Sequence, residues 1–297
     1  MEQPTQRLVD DYVYDTSKVL GQGAVGLVYE GWKKGDENNV IAIKKQNFTL
    51  LIEHLGQKNY QQYIRREATI MKQVQNENIV HIYQIKLTKE SFYIMMEYCN
   101  QGNLRQKLQK YPEKRIPEKE AVQIFKQIMN GYKAIFDASA IHRDLKPENI
   151  LFKDNVVKIA DFGLSKIINK NAALDIYTTN KGTPFYRPPQ LLNDQHSVPV
   201  EYPQKIDIWS LGVLFYEMLV GKRPWLEVEN CSSYLDEIEN HDVGFPVHIP
   251  ISKQTKDLIL CMLTIDEKYR YSFEECMDHP FFKEETLEEK SQQEKQQ

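Results

Sequence analysis

Cysteine is scarce in this 297-residue chain, with four in all. Cys99, Cys231, Cys261 and Cys276 are scattered, without a Cys-x-x-Cys pair or a histidine-rich partner stretch. That argues against a disulfide scaffold or a thiolate metal centre and points to free thiols in a reducing compartment. An excess of positive charge is also missing. The formal net charge is −4 and the isoelectric point is near 6.0, so no basic footprint marks a nucleic acid or anionic membrane partner. Long apolar runs are lacking as well. The most apolar stretch, Ile208 to Val220, contains Ser210 and Glu217 and suits one buried helix rather than a bilayer span. Met1-Glu2-Gln3-Pro4-Thr5-Gln6 has no apolar centre of the signal-peptide kind. An intracellular, cytoplasmic location follows as the expectation, with nuclear access left open and no membrane insertion. No internal repeat is visible. What remains is an ordinary globular composition, 41% hydrophobic and 27% charged, on a length that suggests two domains or lobes.

The most informative stretch is Ile141-His142-Arg143-Asp144-Leu145-Lys146-Pro147-Glu148-Asn149, followed by Asp161-Phe162-Gly163. Between them, Ile150-Leu151-Phe152 and Val156-Val157-Lys158-Ile159-Ala160 flank Asp154-Asn155. Two short apolar runs around a turn-forming pair predict a hairpin. Such a hairpin returns Asn149 and Asp161 to one end, where an amide oxygen and a carboxylate suit Mg²⁺, a hard cation that shares its ligands with phosphates. Asp144 is then placed to accept a proton from an attacking hydroxyl, with Lys146 near to balance phosphate charge. Phosphoryl transfer needs those parts.

Upstream, Gly21-Gln22-Gly23-Ala24-Val25-Gly26 lies between strand-like runs at Val19-Leu20 and Leu27 to Trp32. In a dinucleotide-binding fold the glycines would open a helix. Here they read as a glycine-rich hairpin whose N–H groups can approach phosphates. Val40-Ile41-Ala42-Ile43-Lys44 is another short strand. Tyr63, Ile64, Glu67, Ile70, Met71 and Val74 share one face of a helix predicted over about 60–74. Glu67 is thus a carboxylate on an apolar stripe, which is costly without a partner. Phe48 to Asn59 carries no clear pattern. Pro117, Glu118 and Glu120 suit the first turn of a further helix, and Ser272 suits an N-cap.

In this order, and over nearly the whole chain, these motifs resemble those of eukaryotic protein kinases of the serine/threonine branch. The resemblance implies an α+β, bilobal kinase fold with a β-rich N-lobe and a mainly helical C-lobe. Residues 14–282 would form the kinase domain, with the N-lobe over 14–99 and the C-lobe over 100–282. Residues 1–13 would be an N-terminal extension and 283–297 a polar C-terminal tail. ATP and Mg²⁺ would be the cofactors and protein serine or threonine hydroxyls the acceptors. Asp144 would be the catalytic base and Lys146 the γ-phosphate neutraliser, with Asn149 and Asp161 on the metal. Lys44, fixed by Glu67, would hold the α- and β-phosphates. Leu20, Val28, Ala42 and Leu151 would sandwich adenine, Gly21 to Leu27 would cover the phosphates, and Met96 would be the gatekeeper. The backbone of Glu97 and Cys99 would meet the adenine edge. Asp207 would cap the catalytic loop.

Val25 departs from the family's habit of an aromatic at the loop tip, and Gln190 replaces a glutamate that usually pairs with an arginine, here Arg270. Gln190 also supports the alternative of a pseudokinase that binds ATP without turnover. Arg143 suggests control by activation-loop phosphorylation, with Tyr177, Thr178 and Thr179 as candidates and an upstream activating kinase implied. Glu148 and Glu217 match acidic positions that favour arginine upstream of the target, whereas Asn103 stands where a further acid would help. Glu97-Tyr98-Cys99-Asn100 and Phe273-Glu274-Glu275-Cys276 faintly resemble the autophagy-initiating and calcium/calmodulin-like kinases, and the sub-family stays open.

Overall fold

The computed structural model describes residues 5–23, 26–57, 59–168, 184–192, 201–225 and 231–283. The N-terminal half is built on six strands, β1 (Gln6–Val9), β2 (Tyr12–Gly23), β3 (Gly26–Lys33), β4 (Asp36–Asn47), β5 (Ile82–Leu87) and β6 (Ser91–Glu97). They form one sheet in the order β1-β2-β3-β4-β6-β5, and every pairing is antiparallel. Asp10, in the β1–β2 turn, accepts hydrogen bonds from Gln84 and Lys86 on β5 at 2.7 and 3.0 Å. The two edge strands are thereby drawn together and the sheet curls. β1 lies within the stretch that the sequence suggests is an extension ahead of residue 14.

Strand alternation divides the sheet's residues between two faces. Tyr14, Tyr29, Ile41, Ile43, Tyr93 and Met95 pack into a small core of their own. The intervening positions put Val28 opposite Lys44, Ala42 opposite Met96 and Lys44 opposite Ile94. Two helices sit between β4 and β5. The first, α1 (Phe48–Leu55), starts at Asn47, whose side chain accepts from Thr49 N–H. Sequence periodicity gave no sign of it. The second, α2 (Tyr60–Gln73), buries Ile64, Glu67, Ile70 and Met71, the stripe expected from the sequence.

The C-terminal half is mostly helical: α3 (Leu104–Gln109), α4 (Glu118–Asp137), α5 (Lys205–Val220), α6 (Cys231–Asn240), α7 (Lys253–Met262), α8 (Phe273–Asp278) and α9 (Pro280–Lys283). Short strands β7 (Ala140–Ile141), β8 (Ile150–Lys153), β9 (Val156–Ile159) and β10 (Lys166–Ile167) lie between α4 and α5. Helix α4 opens with Glu118 and Glu120 in its first turn, and Ser272 caps α8 reciprocally with Glu275. Every residue of α5 from Ile206 to Val220 is buried. Its polar members are compensated: Ser210 donates to Tyr186 O at 2.7 Å, and Asp207 and Glu217 have partners described below. Phe125 of α4 stacks on Phe215 of α5 at 4.0 Å between ring centres. No helix among the described residues is long and apolar enough to cross a membrane.

The halves meet where the segment before β5 lies on β9. Ile159 N–H donates to Asn78 O at 2.8 Å, and Val80 N–H to Ile159 O at 3.0 Å. Helix α4 closes on this joint through Gly131, where an added Cβ would lie 2.7 Å from Asn78 O and 3.0 Å from Ile159 Cδ1. We expect Gly131→Ala to lower stability by about 1–3 kcal/mol through overpacking, despite alanine's better helix propensity. The urea midpoint would drop at constant slope. An unchanged midpoint would show that the joint has room to spare.

Candidate active site

The loop between β7 and β8 carries His142, Arg143, Asp144, Lys146 and Asn149, and it is fastened from below. Asp207, fully buried in the first turn of α5, accepts from His142 N–H at 2.6 Å and Arg143 N–H at 2.8 Å. His142 is buried too. Its Nδ1 faces the Asp144 N–H at 3.3 Å and its Nε2 faces Ala160 O at 3.1 Å. That pair of neighbours suits the tautomer with the proton on Nε2. His142, to which the motif alone assigns no role, is a strut between the loop and Ala160 at the end of β9.

Asp144, Lys146 and Asn149 form one cluster. Lys146 Nζ lies 2.9 and 2.8 Å from the two Asp144 oxygens. Asn149 Nδ2 donates to Asp144 O at 2.8 Å and Oδ2 at 2.9 Å. The β8–β9 hairpin forms as its sequence predicts. Asp154 and Asn155 both have positive φ, 50° and 66°, as a tight primed turn requires. At the open end Ala160 N–H donates to Asn149 O at 2.9 Å, leading directly into Asp161.

Asp161 meets the other half of the molecule. Lys44 Nζ, on β4, is 2.7 Å from Asp161 Oδ1 and 3.1 Å from Glu67 Oε1. Glu67 is 1% exposed, so the stripe carboxylate has the cation it needs. Burial works against the Lys44 charge, but Asp161 and Glu67 outweigh it and hold the ammonium well above its ordinary range. Lys44 is the main reason the Asp161 carboxyl is held down to about 2. Glu67 moves the other way, pushed up by burial and opposed by Lys44. The Asp161 backbone is left-handed, φ 64°. A Cβ on Gly163 would meet the Tyr63 hydroxyl of α2, so a larger residue there would require the Tyr63 ring to shift.

The donor chemistry suits Mg²⁺. Both Asn149 bonds to Asp144 use the amide nitrogen, so the amide oxygen is the end that would meet a cation. Asp161 adds carboxylate oxygen, and hard oxygens are what Mg²⁺ takes.

Of the expected nucleotide contacts, Gly21, Gln22 and Gly23 lie on β2 opposite Val28, Leu27 and Gly26. Ala24 and Val25 lie outside the described residues. A Cβ on Gly21 would touch nothing within 4 Å, and one on Gly23 only Gly26 O at 3.8 Å. That leaves open space along the strand end. Gly26 has another reason to be glycine: its Cβ would fall 2.2 Å from Lys45 O. Leu20, Val28, Leu27 and Leu151 are partly exposed, as are Met96 and Cys99, whereas Ala42 is buried. Leu151 also bridges to Asn103 beyond the last strand.

Glu97 behaves differently from the sequence reading, which used only its backbone. Its N–H donates to His81 O at 2.9 Å, so a nucleobase contact there falls to the carbonyl. Its carboxylate is buried, accepts from His81 N–H at 2.7 Å and pairs with Lys153 at 3.0 Å and Lys158 at 2.9 Å. Burial raises that carboxyl's pKa, but Lys158, His81 N–H and Lys153 outweigh it, leaving the group below its usual range. Glu97 therefore ties β6 to the β8–β9 hairpin. A lone Glu at a strand end gives no sign of this, because its lysine partners follow more than fifty residues later.

Arg143 is largely buried. Its Nε donates to Leu164 O at 2.5 Å, and burial, helped by Arg66, lowers its pKa to about 10. The candidate phosphorylation sites Tyr177, Thr178 and Thr179 lie outside the described residues. Gln190 does reach Arg270: its Oε1 accepts from Arg270 Nη2 at 3.0 Å, and its amide donates to Ile265 O at 2.6 Å. A neutral link stands there in place of an ion pair.

The site thus consists of a lysine shared by two carboxylates and an adjoining loop that holds Asp144, Lys146 and Asn149 together. A model of the protein kinase domain matches residues 14–282, and the chain belongs to that family, with its bilobal α+β fold. It is 34% identical over 267 residues to a "probable serine/threonine-protein kinase" of Dictyostelium discoideum, covering 89% of this chain and 30% of that protein. It is 32% identical over 281 residues to serine/threonine-protein kinase atg1 of the same organism, covering 91% and 39%. To the Aurora kinase of Schizosaccharomyces pombe it is 32% identical over 270 residues, covering 91% and 71%. The chain thus spans 30% and 39% of the length of the first two relatives.

A pH dependence follows from the Lys44 cluster. A carboxyl with a depressed folded pKa contributes stability that is present above its unfolded value, about 3.9, and is lost as pH falls toward the folded one. Asp161 is 47% exposed at its side chain, so water screens the pair and the effect is modest. We expect wild type to be more stable than Lys44→Met at neutral pH, with the gap closing as pH falls through the raised Glu67 range and on to about 2, because both carboxyls protonate at higher pH once Lys44 is gone. Urea midpoints across that range measure it. A gap that stays constant with pH would contradict the assignment.

Proposed function

We propose that this chain is a serine/threonine protein kinase that transfers the γ-phosphoryl group of ATP to hydroxyls of protein substrates. The observation that carries the reading is Lys44 bonded to both Glu67 and Asp161 while Asp144, Lys146 and Asn149 form a cluster on the adjoining loop.

In this reading Asp144 accepts the proton of the incoming serine or threonine hydroxyl. A new bond forms between that oxygen and the γ-phosphorus, the bond to the β–γ bridging oxygen breaks, and ADP leaves with that electron pair. Lys146, held against Asp144, offsets charge on the phosphoryl oxygens in flight. Lys44 holds the α- and β-phosphates, and Glu67 keeps its ammonium aimed. Mg²⁺, when bound, would neutralise the phosphate oxygens, with Asn149 and Asp161 as its ligands. Gly21, Gly23 and Gly26 bring backbone close to the phosphates. Leu20, Val28, Ala42, Met96 and Leu151 supply the apolar walls for adenine.

We further propose activation by phosphorylation, at Thr179 or its neighbours Tyr177 and Thr178, through an upstream kinase. Support comes from Arg143, a largely buried cation beside the catalytic loop whose hydrogen bond goes to a carbonyl, leaving its guanidinium able to take a phosphate as a further acceptor.

Replacing the Asp144 carboxylate separates enzyme from nucleotide-binding module. Asp144→Asn should cut turnover on a generic protein substrate by about 10²–10⁴-fold, the scale of general-base catalysis. Mg²⁺-dependent ATP binding should persist within a few-fold. Wild-type chain that binds ATP but transfers no phosphate, with or without Thr179 phosphorylation, would favour the module instead.

A further inference from the structure

The loop that bears Asp144 has a second charged cluster beside it. Arg105 is the second residue of α3, held by the capping box that Asn103 and Gln106 form at the helix start. Its Nε lies 2.8 Å from Glu148 Oε1, its Nη1 2.6 Å from Glu217 Oε1, and its Nη2 2.6 Å from the Tyr186 hydroxyl. Tyr186 in turn donates a very short hydrogen bond to the other Glu217 oxygen. All three guanidinium nitrogens are therefore matched to acceptors. Glu148 stands four residues after Asp144, Glu217 rises from α5, and Tyr186 ends the short turn Pro184–Tyr186.

The two carboxylates differ in exposure. Glu217 is 5% exposed at its side chain and Glu148 is 43% exposed. A buried carboxylate beside a second one needs a cation, and removing that partner from such a site is strongly unfavourable. A guanidinium is the cation best shaped for it, since its planar fork can bond two acids at once. Burial opposes charge on Arg105, but its hydrogen bonds to Glu217 and Glu148 prevail and hold it above its ordinary pKa.

We infer that Arg105 is a specificity-determining residue: it fills from within an acidic subsite beside Asp144 that would otherwise take an arginine of the substrate peptide. The inference rests on the protein-kinase reading above. A peptide with its hydroxyl at Asp144 extends about 10 Å over three residues, and Glu148 stands on the same loop, in the turn Pro147–Asn149. An incoming guanidinium would compete with Arg105 for the same oxygens and be repelled by its charge. This runs opposite to the expectation that Glu148 and Glu217 favour arginine upstream of the target. Neutral residues should be accepted at those peptide positions.

The test uses two peptides that differ only in having arginine or alanine at the second and third positions before the serine. Binding is read by fluorescence anisotropy and turnover as kcat/KM, on wild type and Arg105→Ala. For wild type the arginine-to-alanine ratio should be about one or lower. For Arg105→Ala it should rise about tenfold, the worth of one charge-assisted pair, and adding Glu148→Gln should bring it back down. Because the ratio is taken on one protein, a general loss of activity cancels. Should Arg105→Ala fail to fold, Arg105→Lys, which keeps the charge without the fork, should raise the ratio about threefold. A tenfold preference for arginine in wild type would overturn the inference, as would a ratio unchanged in the variants. If no peptide is phosphorylated by any of these proteins, the kinase reading falls, while the binding ratio still decides the subsite.

Discussion

The constraint behind this structure is electrostatic. Lys44, Glu67 and Asp161 come from a strand, a helix and a loop, and the lysine and the aspartate are 117 residues apart. Lys44 and Glu67 are largely out of water, where an unpaired charge is costly. Each therefore stabilises the others only if all three elements are in place. The position of α2 against β4, and of both against the segment that follows β9, is coupled to one ammonium group. Gly163 beneath the Tyr63 hydroxyl adds a steric condition to the same arrangement.

The second half of the site is held by a different device. Asp207 brings a buried carboxylate to two backbone N–H groups, so α5 sets the height of the loop that carries Asp144. Helix α5 can do this because its apolar residues are surrounded on all sides and cannot shift without opening the core. His142 then joins the loop to β9, and Glu97 joins β9 and its hairpin to β6. A chain of buried polar contacts runs from α5 to the N-terminal sheet, each contact compensated and each short in space.

Much of this was legible in the sequence wherever the signal was local. The β8–β9 hairpin followed from apolar runs about Asp154-Asn155, α2 from its stripe, and α8 from Ser272. The pairing of Gln190 with Arg270 and the capping by Asp207 followed from the resemblance to protein kinases. The parts that escaped are those whose cause lies far along the chain. Arg105 reads as an ordinary helix arginine, because its partners are 43 and 112 residues away. The Glu97 carboxylate was hidden for the same reason, whereas His142 reaches Ala160 only 18 residues on and strand β1 pairs with the adjacent β2, so both escaped although their partners are near. Helix α1 escaped because its stripe is short, although Asn47 was available as a cap signal. Gly26 was assigned to phosphate contact, and the structure adds a packing reason that periodicity alone does not reveal.

Whether these separated side chains converge on a single nucleotide is tested by a crystal structure with a non-hydrolysable ATP analogue and Mg²⁺. Convergence requires phosphates against Lys44, metal against Asn149 and Asp161, and the γ-phosphorus facing Asp144. A nucleotide bound away from Lys44, or a metal that touches neither Asn149 nor Asp161, would contradict it.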